Sequence, residues 1–124
     1  MILQVEDKGC SLVARLTGEI DLQVADALRT ALDRAMGERG TRHLVLNLSR
    51  VSLIDSSGLG VILGRYRRLL HSGGRVGLVG LAPTVRRVLE LSGLLRIMRE
   101  YASEGEALAG LEPGDQNGGK GDDL

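Results

Sequence analysis

Phenylalanine and tryptophan are missing from this 124-residue sequence, and tyrosine occurs only twice. Proteins that hold single-stranded nucleic acid stack its bases on aromatic side chains, so that class of binder is excluded at the outset. An excess of one charge is missing as well, since 16 basic side chains meet 16 acidic ones. Nothing in that balance would draw a polyanion or an anionic membrane. Cys10 stands alone, which rules out an internal disulfide and fits a reducing compartment. Its strand-like context suggests a small, half-buried residue. No apolar run approaches the ~20 residues of a membrane span. The opening Met1-Ile2-Leu3-Gln4-Val5-Glu6 lacks the basic start and long apolar stretch of a signal peptide. The two histidines, His43 and His71, have no second soft ligand at metal spacing, so no metal site is expected. These absences predict a cytoplasmic protein whose partners are neither nucleic acid nor membrane.

What is present alternates between strand and helix patterns. Leu3 and Val5 alternate with Gln4 and Glu6, Asp7-Lys8-Gly9 reads as a turn, and a second strand carries Leu12, Ala14 and Leu16. The two make a hairpin. Thr17-Gly18-Glu19-Ile20-Asp21 breaks the pattern, and Asp21 is placed to cap a helix with inward Val24, Leu28, Ala31, Leu32 and Ala35, ended by Gly37 and Gly40. Leu44-Val45-Leu46-Asn47-Leu48 is nearly continuous apolar, as for a strand buried on both faces. A second helix over about 57–70 follows, with Leu59, Ile62, Leu63, Tyr66, Leu69 and Leu70 at helical spacing. Val76, Leu78 and Val79 suggest another strand. Pro83 opens a third helix with Val85, Val88 and Leu89 inward, and 94–98 suggests a last strand. Ser103-Glu104-Gly105-Glu106 has capping-box spacing before a short final helix with Ala107, Leu108 and Leu111. Glycine, aspartate and asparagine then dominate, so 112–124 reads as a flexible tail after one domain over 1–111. The order of elements is that of an α/β fold with a mixed sheet.

Between the buried strand and the second helix lies Ile54-Asp55-Ser56-Ser57-Gly58-Leu59-Gly60. A hydrolase would need serine, histidine and acid together, and the Gly-x-Ser-x-Gly elbow is absent. No catalytic residue is assigned, and the protein is read as a non-enzyme. Phosphate binding is a better rival, because Gly58, Gly60 and Gly64 enrich the start of a helix. Yet no Gly-Lys-Ser/Thr completes a P-loop, and Asp55 would repel a nucleotide phosphate. Two readings remain from the residues alone. Asp55 or Ser56 simply caps the helix, or Ser56 is a modifiable hydroxyl on a surface turn. Phosphorylation would place close to two negative charges at the positive end of a helix, tolerable to the fold but disruptive to a partner surface.

The run Asp55-Ser56-Ser57-Gly58-Leu59-Gly60-Val61-Ile62-Leu63-Gly64-Arg65-Tyr66 closely resembles the anti-sigma factor antagonists of the STAS domain family, and among them the sporulation members. So do Leu16-Thr17-Gly18-Glu19-Ile20-Asp21, Arg42-His43-Leu44-Val45-Leu46-Asn47-Leu48, Pro83-Thr84-Val85-Arg86-Arg87 and Leu91-Ser92-Gly93-Leu94. The likeness covers about 2–111, in matching order.

The resemblance implies a mixed sheet of four to five strands with about four helices packed mainly on one side. It implies an anti-anti-sigma factor whose unphosphorylated form binds an anti-sigma factor that is also a serine kinase, freeing a sigma factor. The kinase would phosphorylate Ser56, and a phosphatase of the PP2C type would restore the free hydroxyl. The implied partner surface joins Glu19 and Asp21 to Asp55, Ser56, Ser57, Gly58, Leu59 and Gly60. Asp21 would both cap its helix and meet a basic side chain of the kinase. Gly64 is expected to serve packing, and Gly58 and Gly60 close approach of the partner. Arg86-Arg87 is read as a solvated helix face. The protein needs no cofactor, ATP being used by the partner kinase, and is expected to be a monomer when free. An antagonist in a general stress-response pathway, a stress-sensing STAS assembly and a nucleotide-binding domain are the alternatives.

Overall fold

A computed structural model of the protein describes residues 1–112. The tail expected beyond Leu111 therefore lies, from position 113 on, outside the described residues. Glu112 itself closes the last helix and accepts a hydrogen bond from the Ser11 hydroxyl.

Five strands form one sheet in the order β1 (Ile2–Lys8), β2 (Ser11–Ile20), β3 (His43–Ile54), β4 (Val76–Val79) and β5 (Arg99–Tyr101). β1 and β2 are antiparallel, joined through a tight turn at Gly9 and Cys10, and the remaining pairs are parallel. Parallel neighbours need crossovers, and four helices supply them or follow them: α1 (Leu22–Arg39), α2 (Ser56–His71), α3 (Pro83–Leu91) and α4 (Glu104–Leu111). This is the α/β mixed sheet that the pattern of elements predicts.

The side chains of β2 and β3 explain the layers. Leu12, Ala14, Leu16 and Ile20 face the same way as Leu44, Leu46 and Leu48, and bury against α1, α2 and α3. The alternate residues Val13, Val45 and Val79 point to the other face and meet Ala107 and Leu111 of α4. A strand sandwiched in this way has no face for polar residues, which is why the central strand reads as an unbroken apolar run. Three helices thus cover one face and a short fourth covers part of the other.

The α4 side is held by polar contacts as well as by packing. Glu104 receives Arg15 Nε at 2.8 Å, Arg15 Nη2 at 2.7 Å and Asn47 Nδ2 at 2.7 Å. Arg15 also donates to Glu6 at 2.8 Å, so one guanidinium ties β1, β2 and α4 together. These bonds hold the Glu104 carboxyl down at about 2, with the bond from Arg15 the main cause.

Several sequence expectations give way. β2 runs through Thr17-Gly18-Glu19 to Ile20, and β3 continues to Ile54, because two register shifts in their ladder keep the strands paired. Residues 94–98 hold no strand: Gly93, at φ +85°, turns the chain into a single 3-10 turn over Leu94–Arg96 that buries Leu94 and Met98. The last strand comes after it and is polar, Arg99–Tyr101. On α2 the buried stripe is Gly58, Val61, Ile62, Arg65 and Leu69, about one position off the predicted one, and Leu70 is half exposed. Cys10 is exposed in its turn, not half-buried in a strand. Arg86 is not simply solvated but pairs with Glu100. His43 is fully buried, its Nδ1 accepting the Arg75 amide at 3.1 Å, an ordinary structural histidine.

Candidate functional site

β2 and β3 run parallel and end level, Ile20 beside Ile54, so the helices that follow begin side by side. Each start has four backbone N–H groups without helical partners and the positive end of a dipole. An aspartate stands at each. Asp21 caps α1, its Oδ1 accepting from the Gln23 amide at 3.1 Å. Asp55 caps α2, its Oδ1 accepting from Ser57 at 2.9 Å and Gly58 at 3.1 Å.

Asp55 goes further than a cap. Its second oxygen, Oδ2, accepts from the amide of Leu22, the first residue of α1, at 3.2 Å. Its own amide donates to the Ile20 carbonyl at 3.2 Å. One residue therefore ties together the two helix starts, through its carboxylate, and the end of β2, through its amide. The sequence predicts the cap but not this lateral bond, which depends on strand register.

Ser56 is the first residue of α2 and is exposed, whereas Ser57 and Leu59 are half-buried and Gly60 is exposed. The hydroxyl of Ser56 is open to a partner or a modifying enzyme. The amides of Ser57 and Gly58 already serve Asp55. A phosphate on Ser56 would sit at the positive helix end without displacing those bonds, its charge kept on the outer surface.

The glycines divide differently from expectation. A Cβ on Gly58 would stand 2.8 Å from Ile20 Cγ2, 2.8 Å from the Ile20 carbonyl oxygen and 2.8 Å from Ile54 Cγ1. Gly58 is buried and lets α2 press against the end of β2; it is a packing glycine, not an approach glycine. Around Gly64, in contrast, no atom lies within 4 Å of an added Cβ, so packing does not require it. Gly60 is open in the same way and exposed, on the outer side of the helix start.

Glu19 is exposed and Asp21 half-buried, and with Asp55 they make the rim of this end of the sheet acidic. No lysine or arginine occurs at 16–28 or at 51–64. Two exposed leucines share the rim: Leu22 is 75% accessible, and Leu53, beside Glu19 in the β2–β3 register, is 46% accessible. Sequence reasoning passed over both. For Leu22 the available signal was an apolar side chain at the first helical position, outside the stripe that packs on the sheet. Among the described residues no three of His, Cys, Asp and Glu gather as a metal site would require. No helix among them is long and apolar enough to cross a membrane.

The family model described as STAS domain matches residues 2–107. The anti-sigma F factor antagonist of Paenibacillus polymyxa is 41% identical over 110 residues, covering 89% of this chain and 94% of that protein. An anti-sigma-B factor antagonist of Staphylococcus aureus is 31% identical over 91 residues, covering 73% and 82%. Among solved structures, the anti-sigma factor antagonist SpoIIAA in its unphosphorylated form superposes with a TM-score of 0.77 at 36% identity, covering 87% of this chain and 94% of that one. SpoIIAA of Bacillus in its phosphorylated form gives 0.69 at 35%, covering 86% and 96%.

Proposed function

The chain belongs to the STAS domain family, and from that premise we propose that it is an anti-sigma factor antagonist switched by phosphorylation of Ser56. In the unmodified state it docks on an anti-sigma factor that is also a serine kinase, and the sigma factor is released. Phosphorylation by that kinase, using ATP, ends the docking, and a PP2C-type phosphatase restores it. The protein carries no catalytic group or cofactor of its own in this scheme, works in the cytoplasm, and is a monomer when free. The docking face comprises Glu19, Asp21 and the start of α2 from Asp55 to Gly60, with Gly58 contributing through packing. Similarity at 41% to an anti-sigma F factor antagonist, against 31% to the sigma-B counterpart, favours the sporulation branch.

The observation that carries the reading is the exposed Ser56 hydroxyl at the first position of a helix whose nearest donors Asp55 already occupies. Such a hydroxyl can gain and lose a dianion while the cap beneath it stays intact. A dianion is larger and more strongly hydrated than the hydroxyl it replaces, so a partner surface shaped to the neutral hydroxyl would have to bury it without a matching group, at a cost of several kcal/mol. The change is local, and docking alone responds.

The test is binding to the anti-sigma F factor of Paenibacillus polymyxa, with the full chain and two variants. Ser56→Ala should bind as the wild type does and take up no phosphate when ATP is added. Ser56→Asp should bind at least about tenfold more weakly, and mass mapping of the wild type should place the phosphate on Ser56. Equal affinities for the two variants, or phosphate elsewhere, would overturn the reading.

A further inference from the structure

Leu22 is the first residue of α1, and an apolar side chain at that place has two ordinary destinations. It turns into the core, or it folds back over the strand that precedes the helix. Leu22 does neither, at 75% accessibility, although Val24, Ala25 and Leu28 of the same helix pack inward. Scattered exposed leucines are common and need no explanation. This one differs in its surroundings. Its amide is held by Asp55 Oδ2 at 3.2 Å, so the backbone that carries this exposed side chain is anchored to the start of α2, whose first residue is Ser56. Around it the rim carries Glu19, Asp21 and Asp55, with no basic residue at 16–28 or 51–64.

We infer that Leu22 is the apolar contact of the docking face, and that its partner presents an apolar hollow edged by lysine or arginine. This rests on the function proposed above, and to the basic side chain already expected opposite Asp21 it adds an apolar residue and the hollow that receives it. The occupant is the anti-sigma kinase itself. Charge complementarity argues for it, because an acidic rim around one leucine selects a basic edge around an apolar hollow. Interfaces gain most from a few desolvated side chains near the centre, while charged rims set approach and register. The Asp55 bond then has a second consequence. The carboxylate binds the Leu22 amide on one side and the Ser57 and Gly58 amides on the other, so the backbones that carry the apolar contact and the modifiable hydroxyl are held side by side.

The test uses the anti-sigma F factor of Paenibacillus polymyxa and four forms of the full chain: wild type, Leu22→Gln, Leu22→Met and Leu91→Gln. Leu91 is equally exposed, at 77%, but ends α3 at the opposite end of the sheet and serves as the control. Leu22→Gln should lose about tenfold in affinity, about 1.4 kcal/mol, while its thermal unfolding matches the wild type. Leu22→Met should bind within about threefold of the wild type, and Leu91→Gln should be indistinguishable from it. Equal affinity for Leu22→Gln and wild type would overturn this inference and leave the Ser56 reading standing. Failure of the wild type to bind would instead overturn the reading on which it rests.

Discussion

The starts of α1 and α2 look alike in sequence, each an aspartate after the last isoleucine of a parallel strand, and they do different work. Asp21 accepts one amide, from its own helix. Asp55 accepts three, two from its own helix and one from its neighbour's. The difference follows from what comes next. After Asp55 the chain offers a glycine at the third helical position, which lets α2 settle against Ile20 and brings the carboxylate within reach of Leu22. After Asp21 it offers Leu22, Gln23 and Val24, and α1 stands without that close contact. One start is a cap, and the other is a joint.

Replacing each aspartate in turn separates a cap from a joint most sharply. Asp21→Ala should cost about 1 kcal/mol, the usual loss for an N-cap. Asp55→Ala should cost about 2–3 kcal/mol, because it also frees the Leu22 amide and loosens two helices at once. Urea denaturation of both variants at pH 7 measures the gap. Equal losses would mean that the Leu22 bond contributes nothing, and the two starts would be equivalent after all.

The glycines give a smaller effect of the same kind. Gly58→Ala should destabilise by about 2 kcal/mol, since the new methyl meets a backbone carbonyl that has no room to withdraw. Gly60→Ala, two positions on and in open space, should stabilise by up to about 1 kcal/mol through helix propensity alone. Thermal unfolding of the pair reads the sign directly. A stable Gly58→Ala protein would show that α2 can retreat from Ile20, and the joint would be softer than its geometry suggests.

What could be read in advance divides along physical lines. The β3 run, the caps Asp21 and Asp55, Pro83 at the start of α3 and the Ser103 cap of α4 all depend on residues close in the chain, and all are present. The α/β class and an exposed helix start at Ser56 follow from them. Features set by distant residues were out of reach. The pattern of α2 does not say which of its glycines a neighbour crowds, and it is Ile20 and Ile54 that single out Gly58 from Gly60 and Gly64. Nothing in the helical pattern marks Arg65 for burial, yet it is buried between α1 and α2 with its Nε 3.1 Å from Asp33, and burial lowers its pKa. The polar β5 carries no apolar alternation because it is a short edge strand, so the apolar residues just before it looked the better strand.

The start of α4 supplies the last contrast, because there a first-turn side chain rather than a capping aspartate makes the long-range tie. Ser103 caps its own helix by accepting the Glu106 amide at 3.1 Å. Glu104 reaches across to Arg15 and Asn47 on the face of the sheet away from α1 and α2. A carboxyl held at about 2, below its ordinary 4.5, contributes stability that is complete above pH 4.5. That contribution is lost as the pH falls from 4.5 toward 2. Its ceiling, from the shift alone, is about 3 kcal/mol. Arg15 is 37% exposed, so solvent screening reduces the figure to about 1–1.5 kcal/mol. Glu104→Gln should therefore lose that amount in urea at pH 7, and the difference from wild type should vanish by about pH 2. Affinity at the Ser56 end should not change, since α4 packs on Val13, Val45 and Val79 and touches neither Asp21 nor Asp55 through any of these bonds. A loss that persisted undiminished at pH 2 would make Glu104 a packing residue, and the tie between α4 and the sheet would be one of shape rather than charge.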